Sequence, residues 1–406
     1  MRNSNPEAAT PRSARIATRR TRSVTTLLLI LATSISTIRS ADTEVKKPDV
    51  PTPVAVSAAR SDDDSESNAA EQSTDRKSVE RNVASALAFL RAAQHPDGSF
   101  GNQQQHLQTG LAILAFLSAG ATADVDSTSA LPKAAAWMLQ HTGDDGFLGD
   151  TEAPHESHAV SALALSELIG MLPDPAQDAA VVRRADDALH YTLAVQDKAV
   201  GAEFYGGWKI APKDKGNDRR VTAWCLYFLK SMELRRREIP KSVYARALSF
   251  IEGSQKVPSS EKKFDPTDTG GFSYDAAGLP VISVSGAGLA CMSLFGRDRE
   301  RRDLAVNWFH NNLILWYGPN FYDTNFFAAR GLFREMRRTE KGRRVAQAYF
   351  SRVHTMLRDH QNSDGSFQIP PANAENTINM GKTYATAMAI LILDADRELL
   401  PIDATE

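Results

Sequence analysis

From Val79 onward the apolar and polar positions of the chain alternate as helix, turn, helix, six times over. In the first member of each pair, apolar residues recur at spacings of three and four, as in Ala86, Phe89, Leu90 and Ala93. That spacing predicts one buried face. These first helices are read over 82–94, 131–142, 184–196, 244–255, 303–313 and 348–361. The second members are read over 109–119, 158–170, 222–232, 285–295, 325–335 and 383–393, and they are apolar nearly all round, as in Leu111-Ala112-Ile113-Leu114-Ala115-Phe116-Leu117. A helix apolar on every side is buried on every side. Alternation of half-buried and fully buried helices predicts an all-α fold in two concentric layers, with six helix pairs closing into a ring.

A recurring phrase punctuates the pairs. An aromatic or apolar residue precedes a Gln by five positions, and a glycine turn closing on an aromatic follows. Its copies are Phe89 to Gln94 with Asp97-Gly98-Ser99-Phe100, Tyr191 to Gln196 with Gly206-Gly207-Trp208, Phe250 to Gln255 with Gly270-Gly271-Phe272, and Met356 to Gln361 with Asp364-Gly365-Ser366-Phe367. The second copy, Trp137 to Phe147, has Thr142 where Gln is expected, and the fifth is degenerate around Trp308 and Tyr322-Asp323. Glycine lets the chain reverse sharply, and the aromatic is placed to plug between neighbouring units. The phrase resembles the QW-type repeat of the terpene cyclase and protein prenyltransferase superfamily, over residues 79 to about 396. The resemblance implies an α/α toroid and a site in its central cavity. It says little about reaction, because repeat glycines and aromatics maintain the ring in enzymes and non-enzymes alike.

The catalytic signatures of that superfamily are missing. No Asp-x-Asp-Asp or Asp-Cys-Thr-Ala-Glu acid motif lies in the repeats, and the pairs Asp144-Asp145 and Asp186-Asp187 read as solvated. Cys225 follows Asp218 by seven residues inside an apolar run, which is not the close Asp and Cys pairing that the resemblance implies for a prenyltransferase zinc site. No Gly-Cys-Gly-Glu-Gln thioester motif occurs. Neither a metal nor a cofactor is therefore expected.

Charge and composition narrow the partners. The net charge of -2 gives no bulk electrostatic case for nucleic acid. Arginines 12 to 22, the apolar stretch from Val24 to Ile35 and small residues around Ser36 and Ser40 follow the order of an export signal, read over 1–40. That stretch is short for a membrane span, so export to periplasm or exterior is expected, without a stable transmembrane helix after processing; an uncleaved anchor is the alternative. Residues 41–78 are rich in Pro, Ser, Asp and Glu and read as a disordered linker, which leaves the toroid to 79–406. The two cysteines, Cys225 and Cys291, exclude a disulfide framework.

What remains is a set of polar residues at the starts of the inner helices, where a toroid's funnel is lined and unpaired N–H groups face the opening. His155, His158, Asp323 and Tyr384 are the catalytic candidates; His106, Arg219, Arg220, Trp224, Tyr322, Asn325 and Lys382 are the cavity candidates, with Glu156 and Asp218 in the same set. His155 and His158 stand three apart on one helical face. Each has a plain structural alternative: Asp323 as a helix cap, the histidines as capping or solvated groups, and the inner aromatics as packing between helices. The lead functional expectation is an exported toroid whose cavity takes an apolar or isoprenoid ligand, with catalysis left open. A secreted non-catalytic binding or scaffold protein and a polysaccharide-active toroid enzyme are the alternatives.

Overall fold

The computed structural model describes residues 63–120, 129–198, 205–265, 267–274, 278–371 and 380–404. The expected export signal and the first part of the expected linker lie outside these residues. Twelve helices and no extended strand occur among them, with three isolated β-bridges at the turns. The outer layer comprises α1 (Asp63–Ala93), α3 (Ala130–Gln140), α5 (Pro175–Val195), α7 (Lys241–Glu252), α9 (Arg299–Asn311) and α11 (Glu340–Asp359). The inner layer comprises α2 (Gln105–Ser118), α4 (Pro154–Leu168), α6 (Arg219–Leu234), α8 (Ile282–Leu294), α10 (Phe321–Met336) and α12 (Gly381–Leu393). Each inner helix packs on the next, and α12 packs on α2, so the ring is closed. No helix among the described residues is long and apolar enough to cross a membrane.

Two boundaries differ from the sequence expectation. α1 reaches back to Asp63, inside the expected linker, because that acidic and polar stretch holds good helix formers and an Arg76–Glu80 pair four residues apart. The inner helices also begin earlier than their apolar runs. Their first turns stand at the mouth of the ring and carry polar residues among apolar ones, which hides the true start from a hydrophobic pattern.

The repeated Gln is a clamp. Gln94 Nε2 donates to the carbonyls of Gly98 in its own turn and Ala130 at the start of the next outer helix, at 3.0 and 2.9 Å. Gln196 does the same for Gly206 and Val243, and Gln255 for Gly270 and Arg301. Gln361 donates to Gly365 and to Asn82 of α1, which seals the ring. Thr142, in the odd second copy, turns back on its own helix at Met138 and clamps nothing beyond it. Gln196 is the most informative to remove, since it is 3% exposed and its Oε1 also accepts from Arg246. Gln196→Ala should cost about 2–4 kcal/mol in urea unfolding, because buried acceptors lose their donor. A loss well under 1 kcal/mol would mean the clamp is incidental.

A second regularity joins turn to inner helix. The backbone N–H of the turn aromatic donates to a hydroxyl on the inner helix: Phe100 to Thr109, Trp208 to Thr222, Phe272 to Ser285 and Phe367 to Thr386, all near 3.0 Å. In the second repeat His158 Nδ1 takes the hydroxyl's place, accepting from Leu148 at 3.1 Å. These residues give five of the inner helices a common register, and Asn325 of α10 matches it by standing five residues after its N-cap, as Thr109 and His158 do.

The centre of the ring is filled. Trp224 on α6 meets Phe326 and Phe327 on α10, with ring centroids 4.3 and 4.9 Å apart, although α8 stands between those helices in the ring. At the C-terminal ends of the inner helices the chain's own tail closes the bore: Ile402 N–H donates to Glu167, Arg334 donates to the Ile402 carbonyl, and Arg330 pairs with Asp403 at 3.1 Å. Cys225 and Cys291 are buried free thiols of α6 and α8. The end left for function is the mouth formed by the N-terminal turns.

Candidate functional site

Four side chains converge at the mouth from four inner helices: Glu156 of α4, Arg220 of α6, Asp323 of α10 and Tyr384 of α12. Arg220 Nη1 lies 3.6 Å from Asp323 Oδ2, and the Tyr384 hydroxyl donates to that same oxygen at 3.1 Å. Arg220 also approaches Asp218, which caps α6 by accepting from the Arg220 and Val221 N–H groups. Arg220 and Asp323 keep 15% and 16% of their side-chain surface accessible. They are open to a ligand yet surrounded by protein.

This setting acts on protonation. Burial raises Glu156 to about 7; Arg220 opposes that rise, and the carboxylates of Asp323 and Asp218 add to it. Burial also raises Asp323 above the usual carboxylate range, against the pull of Arg220 and of the Tyr384 hydrogen bond. The two acids differ in support. Arg220 favours the charge of both, but Asp323 alone also accepts the Tyr384 hydrogen bond, so Glu156 is the better placed to keep its proton near neutrality.

The candidates from sequence divide sharply. Asp323 and Tyr384 are brought together, and Arg220 with them. Asp323 is not the cap of its helix, since Asn320 occupies that position with φ 53°. His155 and His158 do not join them. His155 Nδ1 bonds the Lys209 carbonyl at 3.0 Å, and burial lowers its affinity for a proton. His158 accepts from Leu148, so its Nε2 carries the proton and meets Thr192 of outer helix α5 at 2.9 Å; burial pushes it down to about 3. It is a neutral structural residue in the slot used elsewhere by Thr or Ser.

Most cavity candidates serve packing. His106 bridges Asp150 and the His141 carbonyl and sits against Trp137. Arg219 is buried over the Phe250 ring and donates to the Tyr274 carbonyl. Trp224 belongs to the central aromatic layer. Tyr322 donates to Gln368 O at 2.6 Å, and Asn325 is held by Tyr349 and the Phe321 carbonyl. Lys382 is exposed and pairs with Asp364. Among the described residues, no group of three or more His, Cys, Asp or Glu side chains is suited to a metal ion. A groove between outer helices α3 and α5, lined by Pro132, Lys133, Gln140 and Gln177, holds none of the candidates.

Glu156 was the residue least visible as a site from its own neighbourhood. The signal lies in the common register. Counting back two residues from Thr109, His158, Thr222, Ser285, Asn325 and Thr386 gives Leu107, Glu156, Arg220, Ser283, Asp323 and Tyr384. One position, taken from each helix in turn, supplies the entire cluster.

No family model matches the chain, and no curated protein sequence does. Solved structures that match it include the α-1,6-mannanase GH76A of Salegentibacter sp. HEL1_6, at 10% identity over 79% of this chain and 99% of that one, with a TM-score of 0.53. An inactive variant of that mannanase in complex with α-1,6-mannotriose matches with a TM-score of 0.54, also at 10% identity and with the same coverage. The type II terpene cyclase MstE from Scytonema matches at 15% identity over 80% of this chain and 99% of that one, with a TM-score of 0.48. The likeness is one of fold: the chain is an all-α, α/α toroid, as its repeats predict.

Proposed function

We propose that the mouth cluster hydrolyses a glycan, with Glu156 as general acid and Asp323 as general base. The observation that carries this reading is the pairing of two partly accessible carboxylates in unequal settings around one guanidinium and one phenol. Glu156 gives its proton to the glycosidic oxygen as the bond from the anomeric carbon breaks. Asp323, aligned by Tyr384 and Arg220, takes a proton from the water that attacks that carbon. The mannanase whose fold the chain shares is bound to an α-1,6-mannotriose in one solved structure, which makes α-mannan the first substrate to try. Export, expected from residues 1–40, would bring the protein to such polymers.

The apolar or isoprenoid ligand expected from sequence has less support from the mouth. It needs an apolar chamber, and the aromatics counted for it are packed against one another below the cluster. The test is reducing-end release by the purified protein from α-mannan, β-1,3-glucan, xylan and polygalacturonate. Activity should rise with pH as Asp323 ionises and fall above about 7 as Glu156 loses its proton. Binding of a glycan with no cleavage would replace this reading by the non-catalytic one. Conversion of an isoprenoid with no action on any glycan would restore the apolar one.

A further inference from the structure

The register that supplies Glu156, Arg220, Asp323 and Tyr384 has two further members, Leu107 on α2 and Ser283 on α8. Ser283 is 1% exposed, and its Oγ has no hydrogen-bond partner. A buried hydroxyl left unpaired forfeits its bonds to water with nothing in return, so such groups call for a reason. Its register aims it at the mouth, as for the four charged and phenolic side chains around it. Its neighbours are known too. α8 and α10 approach so closely that a Cβ on Gly286, one turn after Ser283, would lie 2.9 Å from the Thr324 carbonyl. Ser283 therefore stands beside the first turn of α10, which carries Asp323. Thr324 Oγ1 in that turn is also fully buried and without a partner. Tyr274 is 39% exposed, accepts from Arg219 through its carbonyl and lies close enough to Arg220 to act on its charge.

We propose that Ser283 and Thr324 form the hydroxyl-recognition subsite of the mouth: their hydroxyl groups bond those of the sugar unit flanked by Asp323, while the Tyr274 ring stacks on that sugar's apolar face. This rests on the glycan reading above. Two unpaired hydroxyls on neighbouring helices, each able to donate and accept, suit the hydroxyls of a sugar unit, and an exposed aromatic ring suits the C–H face of a pyranose. Ser283 and Thr324 are binding residues, whereas Glu156 and Asp323 exchange protons.

The experiment compares wild type, Ser283→Ala and Tyr274→Ala on whichever polysaccharide of the panel the wild type cleaves fastest. For Ser283→Ala, KM should rise roughly tenfold, the factor for one hydrogen bond of ordinary worth, with kcat within about twofold. Its melting temperature should stay level or rise, because the variant removes a buried hydroxyl that had no partner. Tyr274→Ala should likewise raise KM and leave kcat. A Ser283→Ala enzyme with wild-type KM, or one that melts earlier with KM unchanged, overturns the subsite and leaves the hydrolase reading standing. A wild type that cleaves none of the panel overturns both.

Discussion

Glu156→Gln should lower kcat by about 10²- to 10⁴-fold while leaving the toroid folded, the range associated with loss of a general acid. The amide fills the same space and keeps a polar group at the mouth, but it has no proton to give to a leaving oxygen. The alkaline limb of the pH profile, set by Glu156 at about 7, should vanish with it. Stability should move the other way. A carboxyl whose folded pKa is raised contributes stability that is fully present below its unfolded value and is lost as pH rises through about 7. Above that pH the wild type carries a partly buried charge that Glu156→Gln lacks, so the variant should melt higher there and the two should converge in acid. Tyr384→Phe is the companion test. It removes a hydrogen bond that favours ionised Asp323, so the acidic limb should shift to higher pH with a smaller loss of kcat. Wild-type turnover in Glu156→Gln would remove the acid from the proposal and leave the cluster a binding site.

Why was the ring legible in the sequence and the cluster only partly so? The ring rests on chemistry that repeats. Each Gln bridges the same two carbonyls, each turn aromatic donates to the same inner-helix position, and so the residues recur as a phrase. The cluster has the opposite character. Glu156, Arg220, Asp323 and Tyr384 are four different residue types on four helices, and only their register relates them. A search by residue type favours His155 and His158, which are close in sequence, yet a two-residue step from the common register leads to Glu156 instead. His158 misleads for a definite reason: its Nδ1 accepts the bond that a Thr or Ser hydroxyl accepts in four other repeats. The central aromatics misled in another way. Apolar runs report burial, and Trp224 and Phe326 are buried against each other across the ring rather than lining a chamber.

Gly365→Ala should be among the most destabilising single methyl additions in the protein, at about 2–4 kcal/mol, and it should also slow turnover. Gly365 has φ 86°, a backbone region that strains any other residue by about 1–3 kcal/mol. Strain is only part of the cost. A Cβ there would lie 2.3 Å from the backbone carbonyl of Ser85 in α1, where a helix rather than a flexible side chain must give way. Gly170 separates the two effects, because its φ of 81° is similar while nothing lies within 4 Å of an added Cβ. Gly170→Ala should therefore cost only about 1 kcal/mol. The link to function runs through the same turn. Phe367 N–H bonds Thr386, two residues beyond Tyr384, so displacing the turn at the seam between α11 and α1 moves the phenol away from Asp323. Chemical unfolding of both variants and kcat for Gly365→Ala decide the matter. Equal losses at Gly170 and Gly365 would show that close approach to α1 adds nothing, and an unchanged kcat in folded Gly365→Ala would uncouple the seam from the mouth.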